Sequence, residues 1–220
     1  GKYAQQDGNL PILYAYSDFI SLPIGDINNA QTLLQVGEAY QAIGMFAEAV
    51  KFYEKVKVID SNKTYRDRVF LNLGKIHLER KNYNEATLVG RKFLQIYPRS
   101  KLVPDGMKLL ARALRGQGDF SEAINIYEDL LARSSEKAEV HYFLGETFSE
   151  INQLADVVQA YQRAIETYDR QEKLIPESLQ NAYFHLGTSL FKLNRFGPAM
   201  EALKSASELF PAVVVVVAGR

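Results

Sequence analysis

An all-α stack of antiparallel helix pairs is the fold class this sequence predicts, and three observations predict it. Small residues recur at a fixed interval: Gly37, Gly74 and Ala111 are spaced by 37 residues, and so are Ala49, Ala86 and Ala123. Apolar residues around them keep the helical spacing i, i+3, i+4 and i+7. Short polar turns such as Gln117-Gly118-Asp119 cut each period into two halves.

The series continues with a changed interval, Gly145 and Gly187 in the first role and Val157 and Ala199 in the second, which makes five repeats. A large residue precedes the first small position in each repeat (Leu33, Phe70, Met107, His141, Tyr183), and another follows it (Tyr40, His77, Leu114, Phe148, Leu190). A third opens the second half (Phe46, Tyr83, Phe120, Leu154, Phe196), and four repeats add Tyr53, Tyr127, Tyr161 or Leu203 one turn past the second small position. The small residues have a packing reason. Where two helices cross closely, Gly or Ala lets the backbones approach, and a larger side chain wedges them apart.

The repeats occupy residues 30–66, 67–103, 104–137, 138–179 and 180–213. Residues 1–29 keep the 37-residue register for Tyr16, Phe19 and Leu22 and predict the second helix of a truncated further repeat. The tail at 214–220 is of another nature: Val213 to Val217 are β-branched, which disfavours helix. It is either an end foreign to the repeats, an extended segment that pairs with a neighbour, or the start of a cap. Two internal departures stand out. Gly90 takes a place held elsewhere by an aromatic residue while Phe93 takes the small place one turn later, predicting swapped volumes in the second repeat; Val157 replaces a small residue and predicts a wider local helix spacing.

Composition narrows the function classes. Lys plus Arg number 26 and Asp plus Glu 26, so no net field draws the chain to nucleic acid or to an anionic membrane. Cysteine is absent, which excludes a disulfide framework, a thiolate zinc site and a thiol nucleophile. No apolar run reaches the roughly 20 residues of a membrane-spanning helix, so a soluble chain without membrane insertion is expected. Gly1 in place of an initiator Met suggests a truncated N-terminus and leaves a cytoplasmic and a bacterial periplasmic setting both open.

Taken together, Leu73-Gly74, Leu144-Gly145 and Leu186-Gly187, the tyrosines and small residues that follow, and Pro98 and Pro211 at repeat ends resemble the tetratricopeptide repeat family. The resemblance covers roughly residues 30 to 213. It implies a right-handed superhelical solenoid, no cofactor, and a scaffold that binds a protein or peptide partner in a concave groove rather than an enzyme. The lengthened first two repeats, ending in Tyr97-Pro98-Arg99-Ser100, are similar to repeats of bacterial envelope proteins.

In this family the groove is lined by positions 2, 5, 9 and 12 of each first helix, the stripe opposite the core by helical rotation. That stripe reads Gln31, Leu34, Glu38, Gln41; Arg68, Leu71, Lys75, Leu78; Asp105, Lys108, Arg112, Arg115; Glu139, Tyr142, Glu146, Ser149; and Asn181, Phe184, Thr188, Phe191. Candidate partner-binding residues are the cations Arg68, Lys75, Lys108, Arg112 and Arg115, with Asn72 beside them, and the aromatics Tyr142, Phe184 and Phe191. They predict a partner with acidic and apolar side chains; against this, solvent-facing helix positions are commonly charged. Members of the family that clamp a carboxylate tail place Lys and Asn where this chain has Leu34 and Glu38, so that clamp is not expected.

Other signals carry less. His77, His141 and His185 fall on or beside core positions and are too far apart in the stack to share a metal. Ser134-Ser135-Glu136-Lys137 lacks the motifs that accompany a nucleophilic serine, and Gly116-x-Gly118 follows no strand. No nucleophile, base and orienting group recur at one place, so an enzyme is not expected, although the chain could serve as a non-catalytic module of one. The competing expectation is a self-assembling solenoid, a homo-oligomer joined through uncapped ends or the valine tail.

Overall fold

The computed structural model describes residues 29–133, 137–171 and 176–209. The expectations for Tyr16, Phe19 and Leu22 and for Val213 to Val217 therefore lie outside the described residues. Ten helices fill the described part: α1 (Ala30–Ala42), α2 (Phe46–Ile59), α3 (Arg66–Glu79), α4 (Tyr83–Ile96), α5 (Val103–Gln117), α6 (Phe120–Arg133), α7 (Lys137–Glu150), α8 (Leu154–Gln171), α9 (Pro176–Lys192) and α10 (Phe196–Leu209). The fold class is all-α, of the kind built from stacked helix pairs. α9 starts at Pro176, ahead of the expected boundary at 180.

One chemical device makes all five hairpins. A residue in the left-handed region follows each first helix: Gly44 (φ 78°), Lys81 (φ 59°), Gly118 (φ 90°), Asn152 (φ 57°) and Asn194 (φ 60°). The next residue then donates its N–H back five residues, Met45 to Tyr40, Asn82 to His77, Asp119 to Leu114, Gln153 to Phe148 and Arg195 to Leu190, each at 2.9–3.0 Å. This closes the carbonyls of the helix end and turns the chain at once into the next helix. Gly adopts that conformation freely and Asn at modest cost, so Lys81 carries some strain.

The chain divides into two compact units, one up to Ala113 and one from Leu114 onward. In the first, the side chain of Asn29 caps α1 by accepting from Gln31 N at 2.8 Å and Thr32 N at 3.3 Å. Leu33, Val36, Tyr40, Phe52, Tyr53 and Val56 bring α1 and α2 together, with Val69 and Ile76 of α3 in the same core. Tyr40 and Phe52 stack at 5.4 Å. The α2–α3 turn is held by buried Asp60, whose carboxylate accepts from Thr64 N at 3.0 Å and Tyr65 N at 2.8 Å.

The expected exchange of volumes in the second repeat is found. Gly90 lies against Leu110, where an added Cβ would stand 3.0 Å from the Leu110 Cβ. One turn later Phe93 is fully buried, and its ring fills the space beside Gly106 of α5. A missing side chain on α4 and a missing side chain on α5 thus take up a leucine and a phenylalanine from the facing helix.

In the second unit the core joins α8, α9 and α10 through Val157, Val158, Tyr161, Ile165, Leu179, Leu186 and Leu190. Tyr127 of α6 stacks on Phe143 of α7 at 5.9 Å. A buried amide, Gln180 Nε2, donates to the Ala206 carbonyl at 3.2 Å and ties α9 to the far end of α10. No helix of the described residues is long and apolar enough to cross a membrane.

Candidate functional site

The groove stripe of the first unit is a polar lattice. Arg68 of α3 donates from both Nε (2.6 Å) and Nη2 (2.8 Å) to the two carboxylate oxygens of Glu38 on α1. Asn72, buried beneath, adds its Nδ2 to the same carboxylate at 2.9 Å. The Tyr53 hydroxyl donates to Gln41 Oε1 at 2.8 Å, and Gln41 reaches Glu79 at 3.4 Å. Burial, and then the negative charge of Glu38, raise the Tyr53 phenol above its ordinary range.

The other cations of this unit are placed as follows. Lys75 is half-buried on α3. Lys108 pairs with Asp105 one turn earlier on α5 at 3.2 Å, and Arg112 is exposed. The structure therefore brings Arg68 and Asn72 together around a glutamate of the preceding repeat. Charge on the stripe is internally balanced at Arg68 and Lys108.

In the second unit the same register position again carries a glutamate that organises its surroundings. Glu146 of α7 forms an ion pair with Arg115, and both are about a quarter exposed at the side chain (23% for Arg115, 30% for Glu146). Burial, followed by the Glu146 charge, pushes the pKa of Tyr142 up to about 12, with Asn181 of α9 opposing the shift. Burial and Glu146 also raise Tyr161. His185 stacks on the Tyr161 ring at 5.5 Å and 16°, and burial lowers its pKa.

Beyond this polar knot the stripe becomes aromatic. Phe184, 37% exposed, meets His185 edge-on at 5.6 Å, and Phe191, 59% exposed, meets Phe196 of α10 at 5.3 Å. Tyr142 is half-buried against Tyr161 and Phe143. The sequence reading singled out these three rings and placed the two glutamates on the stripe without giving them a role. The signal was present as Gly37-Glu38 and Gly145-Glu146, the same dipeptide at the same place in two repeats. Among the described residues no group of three His, Cys, Asp or Glu is placed to hold a metal ion.

Helix pairs that repeat a small-residue crossing, closed by the same turn and lined by a mixed polar and aromatic stripe, define a helical-repeat interaction protein. Sequence comparison finds the tetratricopeptide repeat at residues 108–173 and, in a second form, at residues 30–63 and 180–213, together more than half of the chain. The chain belongs to the tetratricopeptide repeat family, and as such it is a protein–protein interaction scaffold. Family and fold are of a typically non-catalytic kind.

Solved structures agree on the fold at low identity. PilW, a type IV pilus biogenesis factor, superposes with a TM-score of 0.73 at 16% identity, over 91% of this chain and 87% of its own. MamA from Desulfovibrio magneticus RS-1 gives 0.64 at 17% identity, over 84% and 97%. YrrB, described as a tetratricopeptide repeat protein with an unusual peptide-binding site, gives 0.57 at 14% identity, over 92% and 93%. Among curated proteins, bimA of Emericella nidulans is 22% identical over 199 residues, 90% of this chain but only 23% of bimA.

Proposed function

We propose that this chain holds a partner polypeptide along the first-helix stripe of its second unit, with Phe184 and Phe191 as apolar anchors and Tyr142 beside them. The observation that carries the reading is the exposure of two phenylalanines, seven residues apart on one face of α9, where solvent-facing helix positions are ordinarily polar. Arg115 is engaged with Glu146 in this unit, so the reading rests on the apolar anchors rather than on charge. In the first unit Arg68, Asn72 and Lys108 are engaged with Glu38 and Asp105, so they attract an acidic ligand less strongly than the bare sequence implies.

Selection of a displayed random-peptide library on the immobilised chain tests this. Selected peptides should share an apolar pair and bind the Phe184→Ser, Phe191→Ser variant at least tenfold more weakly, with an unchanged thermal melt. Peptides that bind the double variant as well as the parent would remove the stripe of α9 as the binding surface.

A further inference from the structure

The two lengthened repeats end in long turns. Those joining α2 to α3 and α4 to α5 span residues 60–65 and 97–102, whereas α6 and α7 are joined by 134–136 alone. Each long turn is fastened from within: Asp60 accepts from Thr64 N and Tyr65 N, and Ser100 Oγ accepts from Leu102 N at 3.0 Å. Asp67, in the first turn of α3, accepts from the Ser100 hydroxyl and so ties the second turn to the first. The two turns enclose a cavity of about 360 Å³, the size of a small-ligand site. Lys63, Thr64 and Asp67 line it from the first turn and α3, and Ile96, Tyr97 and Arg99 from the end of α4 and the second turn.

Lys63 and Arg99 are exposed and have no ion-pair partner among the described residues, whereas Arg68, Lys108 and Arg115 are paired. Two unpaired cations lining one cavity repel each other unless an anion lies between them. Lys63 also holds φ 58°, which glycine adopts without strain and lysine does not. The turn by itself would be better served by glycine, so what the lysine adds is its side chain. Ile96, 55% exposed, supplies an apolar wall. Thr64 and Tyr97 bring hydroxyl groups; burial and the Asp67 charge raise the Tyr97 phenol above its ordinary range, so it remains protonated and able to donate.

We propose that this cavity binds a carboxylate carried on an apolar carbon frame, with Lys63 and Arg99 holding the charge and Ile96 the carbon. A guanidinium matches a planar carboxylate with two parallel N–H donors, and the lysine adds a point charge. The lining sets two cations against Asp67, so a monoanion neutralises it; a phosphate dianion leaves an excess negative charge whose desolvation is not repaid. The carboxylate is that of a free small acid or of a glutamate side chain in a partner polypeptide. The site shares no residue with the stripe of α9.

Two probes separate these sources, isocaproate and the peptide acetyl-Ile-Glu-Ile-amide. Each is titrated into the isotopically labelled full chain and followed by nuclear magnetic resonance at the backbone amides of residues 63–64 and 99–100. Saturable shifts are expected, the probe that saturates at the lower concentration identifying the source, while isocaproamide and the Ile-Gln-Ile peptide move nothing. Lys63→Gly, which suits the φ of that turn, and Arg99→Gln should together weaken binding at least tenfold with the thermal melt kept, and Phe184→Ser should leave it unchanged. The proposal is overturned if the amide probes shift the same resonances, if the double variant binds as well as the parent, or if inorganic phosphate saturates the site at a lower concentration than either carboxylate. Absence of saturable shifts overturns it too, and is the outcome expected if one of the chain's own carboxylates already fills the cavity.

Discussion

The ring of Tyr161 occupies the space that a side chain at Gly145 would need: a Cβ there would stand 2.8 Å from two ring carbons. Tyr161 is 1% exposed and packed on both sides, so it cannot swing away cheaply. Gly145→Ala is therefore expected to destabilise by about 1–3 kcal/mol in urea unfolding, the range for overpacked cores, despite the better helix propensity of alanine. Gly197 of α10 has no atom within 4 Å of an added Cβ. Gly197→Ala should leave stability unchanged or raise it by up to about 1 kcal/mol. A stable Gly145→Ala would show that Tyr161 can move out of the crossing.

That pair of glycines also shows where sequence suffices. A small residue at a fixed period is visible because close helix crossing excludes every alternative, and Gly37, Gly74, Gly145 and Gly187 were legible for that reason. The part that Glu38 and Glu146 play was not. Their role depends on which neighbouring repeat supplies the guanidinium, Arg68 from the repeat after Glu38 but Arg115 from the repeat before Glu146, and a stripe of positions does not encode that direction.

Three hydrogen bonds converge on Glu38, two from Arg68 and one from Asn72. Arg68 has a side chain 54% exposed, so water screens its pair, and Arg68→Ala should cost under about 1 kcal/mol. Asn72 is only 6% exposed and would lose an acceptor in Glu38→Ala. That substitution should cost about 1–3 kcal/mol, more than loss of the arginine. Urea melts of the two variants at one salt concentration decide the order, and the reverse order would show that Asn72 finds another partner.

Stability should fall on both sides of neutrality for identifiable reasons. Tyr142 has its pKa raised from 10.0 to about 12, first by burial and then by Glu146, so its neutral form is favoured in the fold. Its contribution is complete below pH 10 and is lost as pH rises towards 12. His185 has a pKa lowered from 6.5, mainly by burial, with Glu146 opposing the shift and Lys192 adding to it. Its contribution is complete above pH 6.5 and is lost as pH falls through the folded value. Melting temperatures at about pH 5.5, 7.5 and 11 should peak at the middle value. Tyr142→Phe should flatten the alkaline loss and His185→Phe the acid one; slopes untouched by either would assign them to other groups.

Phe93 and Gly106 give a prediction that depends on sign rather than size. Phe93 is fully buried, and its ring lies where a side chain at Gly106 would go. Phe93→Ala should cost about 3–5 kcal/mol, the sum of lost transfer energy and the cavity it leaves. Gly106→Ala alone should also destabilise, because its methyl meets the ring. With the ring gone that clash disappears, the methyl fills part of the cavity, and alanine gains helix propensity in α5. The double variant should therefore be more stable than Phe93→Ala alone, a coupling between touching residues that independent sites do not show. Denaturant melts of the four proteins in this cycle measure it directly. Simple additivity would mean that α4 and α5 are not held together by this exchange of a small residue for a large one.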